Sequence, residues 1–551
     1  MSNRIIEQYK SKHNLTDKDI QHMKEINPSS QHEGTLFTDY QSFERSLLMS
    51  KDKVITIYPD YDADGVCSGI VAYSSLKALG FDDVHLVKPK TTDGYGLNFD
   101  VVMKQFPDTE VILTTDNGIN AKVEVDKAQS FGVDVIITDH HLGEEDYFPK
   151  SALSIVNPNR SDKAETYPFK AISGTAVIYK LMVSFAFRQS DDEDVYRAIQ
   201  SLYPLVGIST ISDVMPPLDE NRYFMKATLQ YLKSGIYEKT ISSDINHVHD
   251  MLNLFVSCLE NKYFKRRAAT LDLIGFRIAP ILNSPRRMLD DSELAFNLFL
   301  IDSEANLPMI ICLNDERKAL VKSIIQSIKV DSDQSCIILQ DDTIPHGVAG
   351  LIASHLVREY EMPTFVLCKE NAGSARAPEG MSVHDGLKYV YDTNDDILVS
   401  WGGHAVAAGV KVEDNMLDDF VAILNHFYSD KRAQYTRRDY LEIDVENVDE
   451  IEDALSAIRI FEDMQPFEKH KIPLYQLNFD TSKVNHQLMK DVHVKFGLSH
   501  GVNMIDWNGS HKFHNNIHEG RKHVKAVCSA QENNFRGTRS LQFIANDIAY
   551  Y

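Results

Sequence analysis

The stretch KVITIYPDYDADG, residues 53–65, indicates the fold. Its first seven residues form a short apolar run rich in β-branched side chains, which is typical of a buried strand. Similar runs follow at 84–87, 110–115, 133–138 and 154–156, and helical patterns lie between them. Short buried strands that alternate with helices predict a parallel sheet with helices on both faces. Ligands bind such sheets at the carboxyl ends of the strands.

Polar side chains follow several of these strands directly. The carboxylates and imidazoles that stand at these positions, or after a later helical segment, are Asp60, Asp62, Asp64, Asp116, Asp139, His140, His141 and Asp213. Carboxylates with one or two imidazoles suit Mn²⁺ or Mg²⁺. Two ions about 3.5–4 Å apart use roughly this number of ligands and support phosphoester hydrolysis. Each motif alone also fits a helix cap or a turn, so the prediction depends on their ordered combination.

Length and composition limit the alternatives. The 551 residues carry 80 acidic and 57 basic side chains, and this net charge of −23 excludes a surface that is basic throughout. A hydrophobic fraction of 43% excludes disorder over most of the chain. No apolar run approaches the ~18–20 residues of a membrane span, and the first residues lack the features of a secretion signal. Six cysteines without a CxxC pair favour reduced thiols in a cytosolic compartment.

Local charge differs from the overall balance. Residues 262–287 carry seven basic side chains against one acid, and residues 511–551 carry six against three with interleaved aromatic rings. Residues 441–470 carry ten acids against two bases. Basic groups beside stacking rings are typical of single-strand binding. The pattern predicts an acidic exterior with positive charge confined to one groove.

The ordered motifs resemble those of the DHH phosphoesterases. They are DYDADG, TDNG, TDHH, SGTAVIYKL and ISDVMPP. Further motifs resemble one branch, the RecJ single-strand-specific 5′→3′ exonucleases: DGYGLN, RIAPILNSPRRM, PHGVAGLIASHLV, GSAR, GGHAVAAG and FRGTRSLQ. The resemblance covers about residues 45–551. It implies two α/β domains joined by helices, followed by an OB-fold β-barrel.

The resemblance also implies domain boundaries. An N-terminal helical segment is expected at 1–45, the DHH domain at 46–218, a helical connector at 219–305, the DHH-associated substrate-binding domain at 306–430 and the OB-fold at 431–551. The last of these is expected to bind nucleic acid. A channel too narrow for duplex would then exclude double-stranded DNA.

The resemblance assigns roles residue by residue. Two Mn²⁺ or Mg²⁺ ions are expected on Asp60, Asp62, Asp64, Asp116, His140 and Asp213. Asp139 would orient the histidines, and His141 would contact the scissile phosphate or assist proton transfer. Asp116, Asp139, His140 and His141 form the expected catalytic set. Substrate contacts are expected from Lys90, Tyr95, Asn283, Arg287, Ser374, Arg376, Gly402, Gly403, His404, Arg536 and Arg539.

Two positions depart from the family pattern. Tyr58 stands where many DHH relatives carry a metal-binding histidine, and Asp60 is expected to compensate. Lys90 stands where an arginine that grips a 5′ phosphate is expected. Lysine keeps the charge but loses the bidentate geometry of arginine, which leaves the requirement for a 5′ phosphate open.

The resemblance implies an enzyme that degrades single-stranded DNA from its 5′ end to mononucleotides, in DNA recombination and repair. It implies a monomer in a bacterial cytoplasm, encoded by the host or by a phage, with a helicase and a single-strand-binding protein as partners and no membrane. Two alternatives stay open: a DHH phosphodiesterase for short oligoribonucleotides or cyclic dinucleotides, and an inactive single-strand-binding scaffold. The sequence does not determine the preferred ion, tolerance of RNA or processivity.

Overall fold

The computed structural model describes residues 3–94, 96–263, 269–301, 305–328, 330, 334–431, 440–468, 471–507, 509–535 and 538–551. Of the predicted site residues, Tyr95, Arg536 and the side chain of Arg539 lie outside this described part. The described chain forms two compact units. The larger is Pro28–Tyr435, and the smaller combines Met1–Asn27 with Thr436–Tyr551.

Two amphipathic helices begin the chain and belong to the smaller unit: α1 (Arg4–His13) and α2 (Asp17–Lys24). The Asn3 side chain caps α1 by accepting from the Ile6 amide. Thr16 and Asp19 form a reciprocal capping box at the start of α2. Such caps satisfy amides that otherwise have no partner within the helix.

A five-stranded parallel sheet forms the first part of the larger unit. Its strands are β1 (Ile55–Pro59), β2 (Val84–Leu86), β3 (Val111–Thr115), β4 (Asp134–Thr138) and β5 (Ser154–Val156). The strand order is β2-β1-β3-β4-β5, and every neighbouring pair is parallel. All positions of β1 and β3 are buried. The predicted parallel sheet is therefore confirmed. The chain crosses from one side of β1 to the other, which creates a crevice between β1 and β3.

Seven helices accompany this sheet, some in contact with it and others packed on those helices. They are α3 (Tyr40–Met49), α4 (Ala63–Ala78), α5 (Phe99–Gln105), α6 (Lys122–Ser130), α7 (Gly174–Gln189), α8 (Glu193–Gln200) and α9 (Tyr203–Ser212). Helix α4 is buried at nearly every position, because the sheet covers one side and α7 and α9 cover the other.

A helical region follows. It contains α10 (Asp219–Ser234), α11 (Ser243–Tyr263), α12 (Leu271–Leu273), α13 (Ala279–Leu282), α14 (Ser284–Leu289), α15 (Glu293–Leu300) and α16 (Asn306–Ser327). A π-helical turn, Ile274–Ile278, joins α12 to α13. Asn283 separates α13 from α14, and a proline stands in the first turn of each of these two helices.

A second sheet completes the larger unit. Its strands are β6 (Ile337–Gln340), β7 (Thr364–Leu367), β8 (Ala372–Arg376), β9 (Leu398–His404) and β10 (Ala407–Val412), in the order β6-β7-β8-β10-β9. The pair β6 and β7 is parallel, and the other pairs are antiparallel. The accompanying helices are α17 (His346–Tyr360), α18 (Val383–Thr393) and α19 (Leu417–Tyr428).

The smaller unit contains a seven-stranded sheet. Its strands are β11 (Leu441–Glu442), β12 (Tyr475–Asp480), β13 (Asn485–Met489), β14 (His493–Gly497), β15 (Asn503–Asp506), β16 (His523–Phe535) and β17 (Thr538–Tyr550), with helices α20 (Val448–Met464) and α21 (Ser510–His518). Helices α1 and α2 pack on α20. The Tyr9 hydroxyl donates to the Lys471 carbonyl at 2.7 Å, and Ile5 and Ile6 are buried in the same core.

The predicted OB-fold barrel is not confirmed. The seven strands run in the order β11-β12-β16-β17-β15-β14-β13, so β11 and β13 are the two edges. No pairing between these edges occurs in the described part of the chain, and the sheet is open there. Within the same part, no helix has the length and apolar character needed to cross a bilayer.

Candidate metal centre

The carboxyl end of β1 carries three aspartates in a tight turn. Asp62 caps α4 by accepting from the amides of Asp64 at 2.9 Å and Gly65 at 3.1 Å. A Cβ on Gly65 would lie 2.1 Å from the Asp60 carbonyl oxygen. Only glycine therefore allows the chain to turn so closely from strand to helix.

Asp64 is held rigidly by the start of α7. Its buried carboxylate accepts from the amides of Gly174 at 2.8 Å and Thr175 at 2.9 Å. The hydroxyls of Thr175 and Ser209 donate to the same carboxylate at 2.6 and 2.5 Å. The positive end of the α7 dipole and these donors keep a negative charge stable in the protein interior.

Asp116 follows β3 with a left-handed backbone, φ 63°. It is buried, and its Oδ1 atom has no hydrogen-bond partner among the described residues. A Cβ on Gly174 would lie 2.4 Å from this oxygen, so the glycine lets α7 approach the carboxylate closely. A buried carboxylate oxygen without a donor is costly unless a cation binds it.

His140 faces the carboxylates through one ring nitrogen. Its Nδ1 lies 2.8 Å from the Ile172 carbonyl oxygen, which only accepts, so Nδ1 carries the proton. Burial lowers the pKa of His140, and in the neutral ring Nε2 then bears a lone pair. This nitrogen lies 3.1 Å from Asp116 Oδ1, 3.6 Å from Asp213 Oδ2 and 3.8 Å from Asp64 Oδ2. A lone pair surrounded by three carboxylates is the arrangement of a cation-binding site.

Two groups of ligand atoms lie close enough to hold an ion. Asp116, His140 and His141 form one, and Asp64, His140 and Asp213 form the other, with all ligand atoms of each group within 4.8 Å of one another. The unpartnered oxygen of Asp116 and the fixed tautomer of His140 both fit a metal. Oxygen ligands with imidazole suit Mn²⁺ or Mg²⁺.

Asp139 connects the two histidines to the sheet. Its Oδ1 accepts from the amides of His140 at 2.7 Å and His141 at 3.1 Å, and from His141 Nδ1 at 2.8 Å. Its Oδ2 accepts from the Ile119 amide. Burial alone would raise the pKa of Asp139, but the hydrogen bonds from His141 and the charges of both histidines together outweigh burial and the net change is downward. Burial likewise opposes the charge on His141, yet its hydrogen bond to Asp139 and the charges of Asp139, Asp60 and Asp213 together raise the pKa to about 10.

The remaining carboxylates repel one another. Burial, followed by the charge of Asp62, raises the pKa of Asp60 to about 7. Burial and the neighbouring Asp64 raise the pKa of Asp213 to about 8 and that of Asp116 well above its ordinary value. Divalent cations would relieve this repulsion and return the carboxylates to their charged form.

The helical region brings further polar groups to the turn after β1. Asn283 Oδ1 accepts from the Ala63 amide at 3.1 Å, which joins α13 to the start of α4. Arg287 donates to the Gly347 carbonyl at 3.1 Å and thus contacts the start of α17. Burial, followed by the like charges of other arginines, lowers the pKa of Arg287 to about 10. Those neighbours are Arg286, Arg317 and Arg376. The predicted Asn283, Arg287 and Arg376 therefore lie near a shared positive cluster.

The sequence analysis missed two members of this cluster, Arg286 and Arg317. The Arg286 guanidinium lies 4.2 Å from the ring centroid of Tyr61, and its buried Nε has no hydrogen-bond partner among the described residues. The basic stretch 262–287 contains Arg286, but the sequence assigns it no substrate contact of its own. The arginines come from α14, α16 and β8, so their meeting depends on the tertiary fold.

Other predicted contacts lie in different surroundings. Lys90 is half exposed and pairs with Asp291 Oδ2 at 2.9 Å. Gly402, Gly403 and His404 end β9 at an exposed position, where a Cβ on Gly403 would lie 2.5 Å from the Ala407 carbonyl oxygen. Ser374 lies in β8, opposite Gly409 of β10. No described contact joins these residues to the carboxylate cluster.

Known families match two parts of the larger unit. Residues 54–206 match the DHH family N-terminal domain, and residues 333–430 match the DHHA1 domain. The first match contains Asp60 to Asp64, Asp116 and the two histidines. The parallel sheet and most of the cluster at its carboxyl edge therefore lie in the part of the chain that matches the DHH family N-terminal domain.

Similarity over nearly the whole length identifies the branch. The chain is 26% identical over 535 residues to the single-stranded-DNA-specific exonuclease RecJ of Salmonella typhimurium, covering 90% of this chain and 87% of that protein. It is 26% identical to a crystal structure of exonuclease RecJ bound to manganese, with a TM-score of 0.57 and coverage of 72% and 95%. The chain is therefore similar to RecJ exonucleases over most of its length.

A further solved structure supports the fold. The RecJ complex with Mn²⁺ from Thermus thermophilus superposes with a TM-score of 0.76 at 21% identity, covering 99% of this chain and 78% of that one. The shared fold therefore extends beyond the two matched domains.

Proposed function

We propose that this chain is a metal-dependent exonuclease that hydrolyses single-stranded DNA from the 5′ end to mononucleotides. The observation that carries the proposal is the position of His140 Nε2, which faces Asp64, Asp116 and Asp213 at the carboxyl edge of the parallel sheet. The RecJ-type sequence relatives give the substrate class. Recombination and repair of DNA is the corresponding cellular role.

Six residues would hold two divalent ions: Asp60, Asp62, Asp64, Asp116, His140 and Asp213. Mn²⁺ or Mg²⁺, when bound, polarises the phosphodiester and offsets the negative charge of the reacting phosphate. The protein's contribution is positioning. Asp64 is fixed by four donors, and the Ile172 carbonyl fixes the tautomer of His140.

Asp139 and His141 form the second part of the catalytic set. The carboxylate accepts a hydrogen bond from His141 Nδ1–H, which favours the protonated ring and raises its pKa. The Nε2–H of a protonated ring donates to the scissile phosphate or to the leaving oxygen. Asp139 positions this donor through its own bonds to the backbone.

The positive cluster would grip the DNA backbone. Arg287, Arg376 and Ser374 are proposed phosphate contacts, and Asn283 positions the turn that carries Asp62. Arginine suits this task because its planar group binds phosphate in two places. Lys90, Tyr95, Gly402, Gly403 and His404 are proposed contacts to the 5′ end and the scissile region.

The smaller unit would hold the strand beyond the reaction site. We retain the OB-fold as a proposal for this unit, with Arg536 and Arg539 as its DNA contacts. Basic residues and aromatic rings along residues 511–551 support it.

The protein is proposed to act as a monomer in a bacterial cytoplasm, whether encoded by the bacterium or by a phage. A helicase that supplies single strands and a single-strand-binding protein are the proposed partners. Pulldown from a bacterial lysate, with DNase present to remove bridging DNA, would test both.

Digestion of 5′-labelled single-stranded and duplex DNA with Mn²⁺ tests the function. Wild type should release mononucleotides from single strands alone, and Asp116→Ala should release none. Degradation without a divalent ion would contradict the metal-dependent mechanism. Equal degradation of duplex would contradict the single-strand specificity, and preference for a cyclic dinucleotide or oligoribonucleotide would favour the related phosphodiesterase activity.

A further inference from the structure

A small cavity lies beside the metal cluster at the same edge of the parallel sheet. Its volume is about 170 Å³. Gly118–Ala121, which follow β3, form one side, and Asp139 and His141, which follow β4, form another. Leu97, from the segment between β2 and α5, closes the third. The cavity therefore opens where strands β3 and β4 present their ligands.

The lining of this cavity disfavours a phosphate. Two carboxylates, Glu124 and Asp139, contribute to it, and no lysine or arginine does among the described lining residues. Glu124 Oε2 accepts from the Phe99 amide, which fixes the negative charge in place. Apart from His141, whose ring proton is proposed to serve the scissile phosphate, the charged side chains that an anion would meet there are all negative. The cavity therefore suits an uncharged part of the substrate.

The walls suit a flat ring. Leu97 and Ile119 are almost fully buried and present apolar side chains, and Val123 stands at the rim with 70% of its surface exposed. Gly118 has φ 110° and adds no side chain to the wall. A volume of about 170 Å³ lies below the roughly 300 Å³ of the smallest drug-sized pockets. It matches one nucleobase better than a whole nucleotide.

His141 connects the cavity to the reaction site. It lines the cavity, and its Nδ1 lies 4.0 Å from Asp116 Oδ1 in the metal cluster. A base bound in the cavity would thus be separated from the proposed metal site by the His141 side chain alone. Leu97 belongs to the same segment as Lys90, on the side where the 5′ end is proposed to bind.

We infer that this cavity binds the base of the 5′-terminal nucleotide, the one that hydrolysis releases. The inference rests on the proposed function. Apolar walls accept the face of any base, so the contact would be independent of sequence, as an exonuclease that degrades any single strand requires. It would also position the sugar and phosphate of the terminal nucleotide against the metal cluster.

A missing base at the 5′ end provides the test. Two 5′-phosphorylated oligonucleotides of equal length would be compared, one normal and one with an abasic 5′-terminal nucleotide, by release of the first product in Mn²⁺. Wild type should show a KM about 5- to 100-fold higher for the abasic end, since stacking contributes ~1–3 kcal/mol per base. An abasic nucleotide ten positions inward should leave this first step unchanged.

Val123→Ala removes one wall of the cavity without burying a new group. It should reduce the ratio between the two KM values and leave the abasic substrate unaffected. Val448→Ala is the matched control, because Val448 is also exposed in the first turn of a helix, in the other compact unit. For this control, the ratio of KM for the abasic end to KM for the normal end should equal that of wild type.

Equal KM values for both ends in wild type would overturn the inference while the proposed function stands. Absence of digestion for both would reject the proposed function instead. Fluorescence anisotropy of the same two oligonucleotides would then still test whether the cavity binds the terminal base. Tighter binding of the base-bearing end would support the inference, and equal binding would overturn it.

Discussion

His140 Nε2 lies 3.1 Å from Asp116 Oδ1, yet the two atoms do not form a hydrogen bond. The ring proton resides on Nδ1, which donates to the Ile172 carbonyl, so two lone pairs face each other whenever Asp116 is ionised. A cation between the carboxylates removes this repulsion. The same contact indicates that loss of the metal should destabilise this edge of the sheet.

Asp116→Asn should raise the stability of the metal-free protein and lower its activity with metal. Without metal, the amide removes one of the crowded negative charges, so the melting temperature in EDTA should rise. With Mn²⁺, activity should fall by roughly 10³-fold, because charge stabilisation of several kcal/mol is lost. Thermal melts and digestion assays on one preparation would check both. A lower melting temperature in EDTA would contradict the repulsion.

Gly174→Ala should damage the metal site through geometry. The new methyl would lie 2.4 Å from Asp116 Oδ1, so α7 or the carboxylate must move. A fall of roughly 10–100-fold in Mn²⁺ affinity is expected, as for other losses of ligand positioning. Gly409→Ala is the control, since a Cβ there meets nothing within 4 Å. Titration calorimetry with Mn²⁺ would measure the change, and unaltered affinity would refute this role of Gly174.

The carboxylate cluster should make stability depend on pH. The pKa values of Asp60, about 7, and Asp213, about 8, exceed the ordinary 3.8. The folded metal-free protein therefore holds protons that the unfolded chain has lost, and this stability, complete below about pH 4, disappears as pH rises through about 7–8. In EDTA the melting temperature should thus fall between about pH 6 and pH 8.5.

The affinity for Mn²⁺ should rise with pH, whereas the stability of the metal-free protein falls. Ligands bind the ion in their charged form, so affinity should rise over the same pH range and binding should release protons. The Mn²⁺-induced rise in melting temperature should be larger at about pH 8.5 than at about pH 6. Calorimetry in buffers of different ionisation enthalpy would count the protons. A shift independent of pH would refute the raised pKa values.

Arg376→Ala should weaken binding of single-stranded DNA regardless of sequence. Loss of one phosphate contact should lower the slope of log affinity against log salt by about 0.7. Arg197→Ala is the control, because Arg197 is exposed and pairs with Glu193 on a helix surface. Anisotropy titrations over a range of salt concentrations would measure both slopes. Equal slopes for the two variants would exclude Arg376 from the DNA interface.

The ammonium group of Lys90 pairs with the Asp291 carboxylate, so it must break this ion pair to bind a phosphate. Asp291→Asn should therefore increase the preference for 5′-phosphate over 5′-hydroxyl ends, and Lys90→Ala should abolish it. Lys90→Arg should strengthen it, since arginine grips phosphate in two places. Competition between the two kinds of end in one reaction measures the preference. No response to any of the three changes would remove Lys90 from the site of the 5′ end.

The sequence predicts the parts of the site that depend on local order. Apolar runs followed by Asp or His place Asp60, Asp116 and His140 at one sheet edge, because parallel strands end together. The amide of Gly174 donates to Asp64 although the two residues are 110 positions apart in sequence, and no spacing rule predicts such a contact. The Lys90–Asp291 pair likewise depends on helices that pack beside the sheet.

The predicted β-barrel shows a different limit. Alternating apolar and polar side chains at His493–Gly497 are typical of a strand, but local alternation does not determine how the edges of a sheet pair. The order β11 to β13 depends on β16 and β17, two long strands that pair with each other along most of their length. Local patterns indicate only a short strand in the second of them.

The two ends of the chain share one core, and this affects how the protein is made. Helix α1 buries Ile5 and Tyr9 against residues such as Phe461, while Pro28–Tyr435 form the other unit. At ~5–20 residues per second, a ribosome needs roughly 20–80 s to synthesise that intervening stretch. During this time the apolar face of α1 has no partner from its own core. The first residues to leave the ribosome are therefore among the last to reach their native contacts.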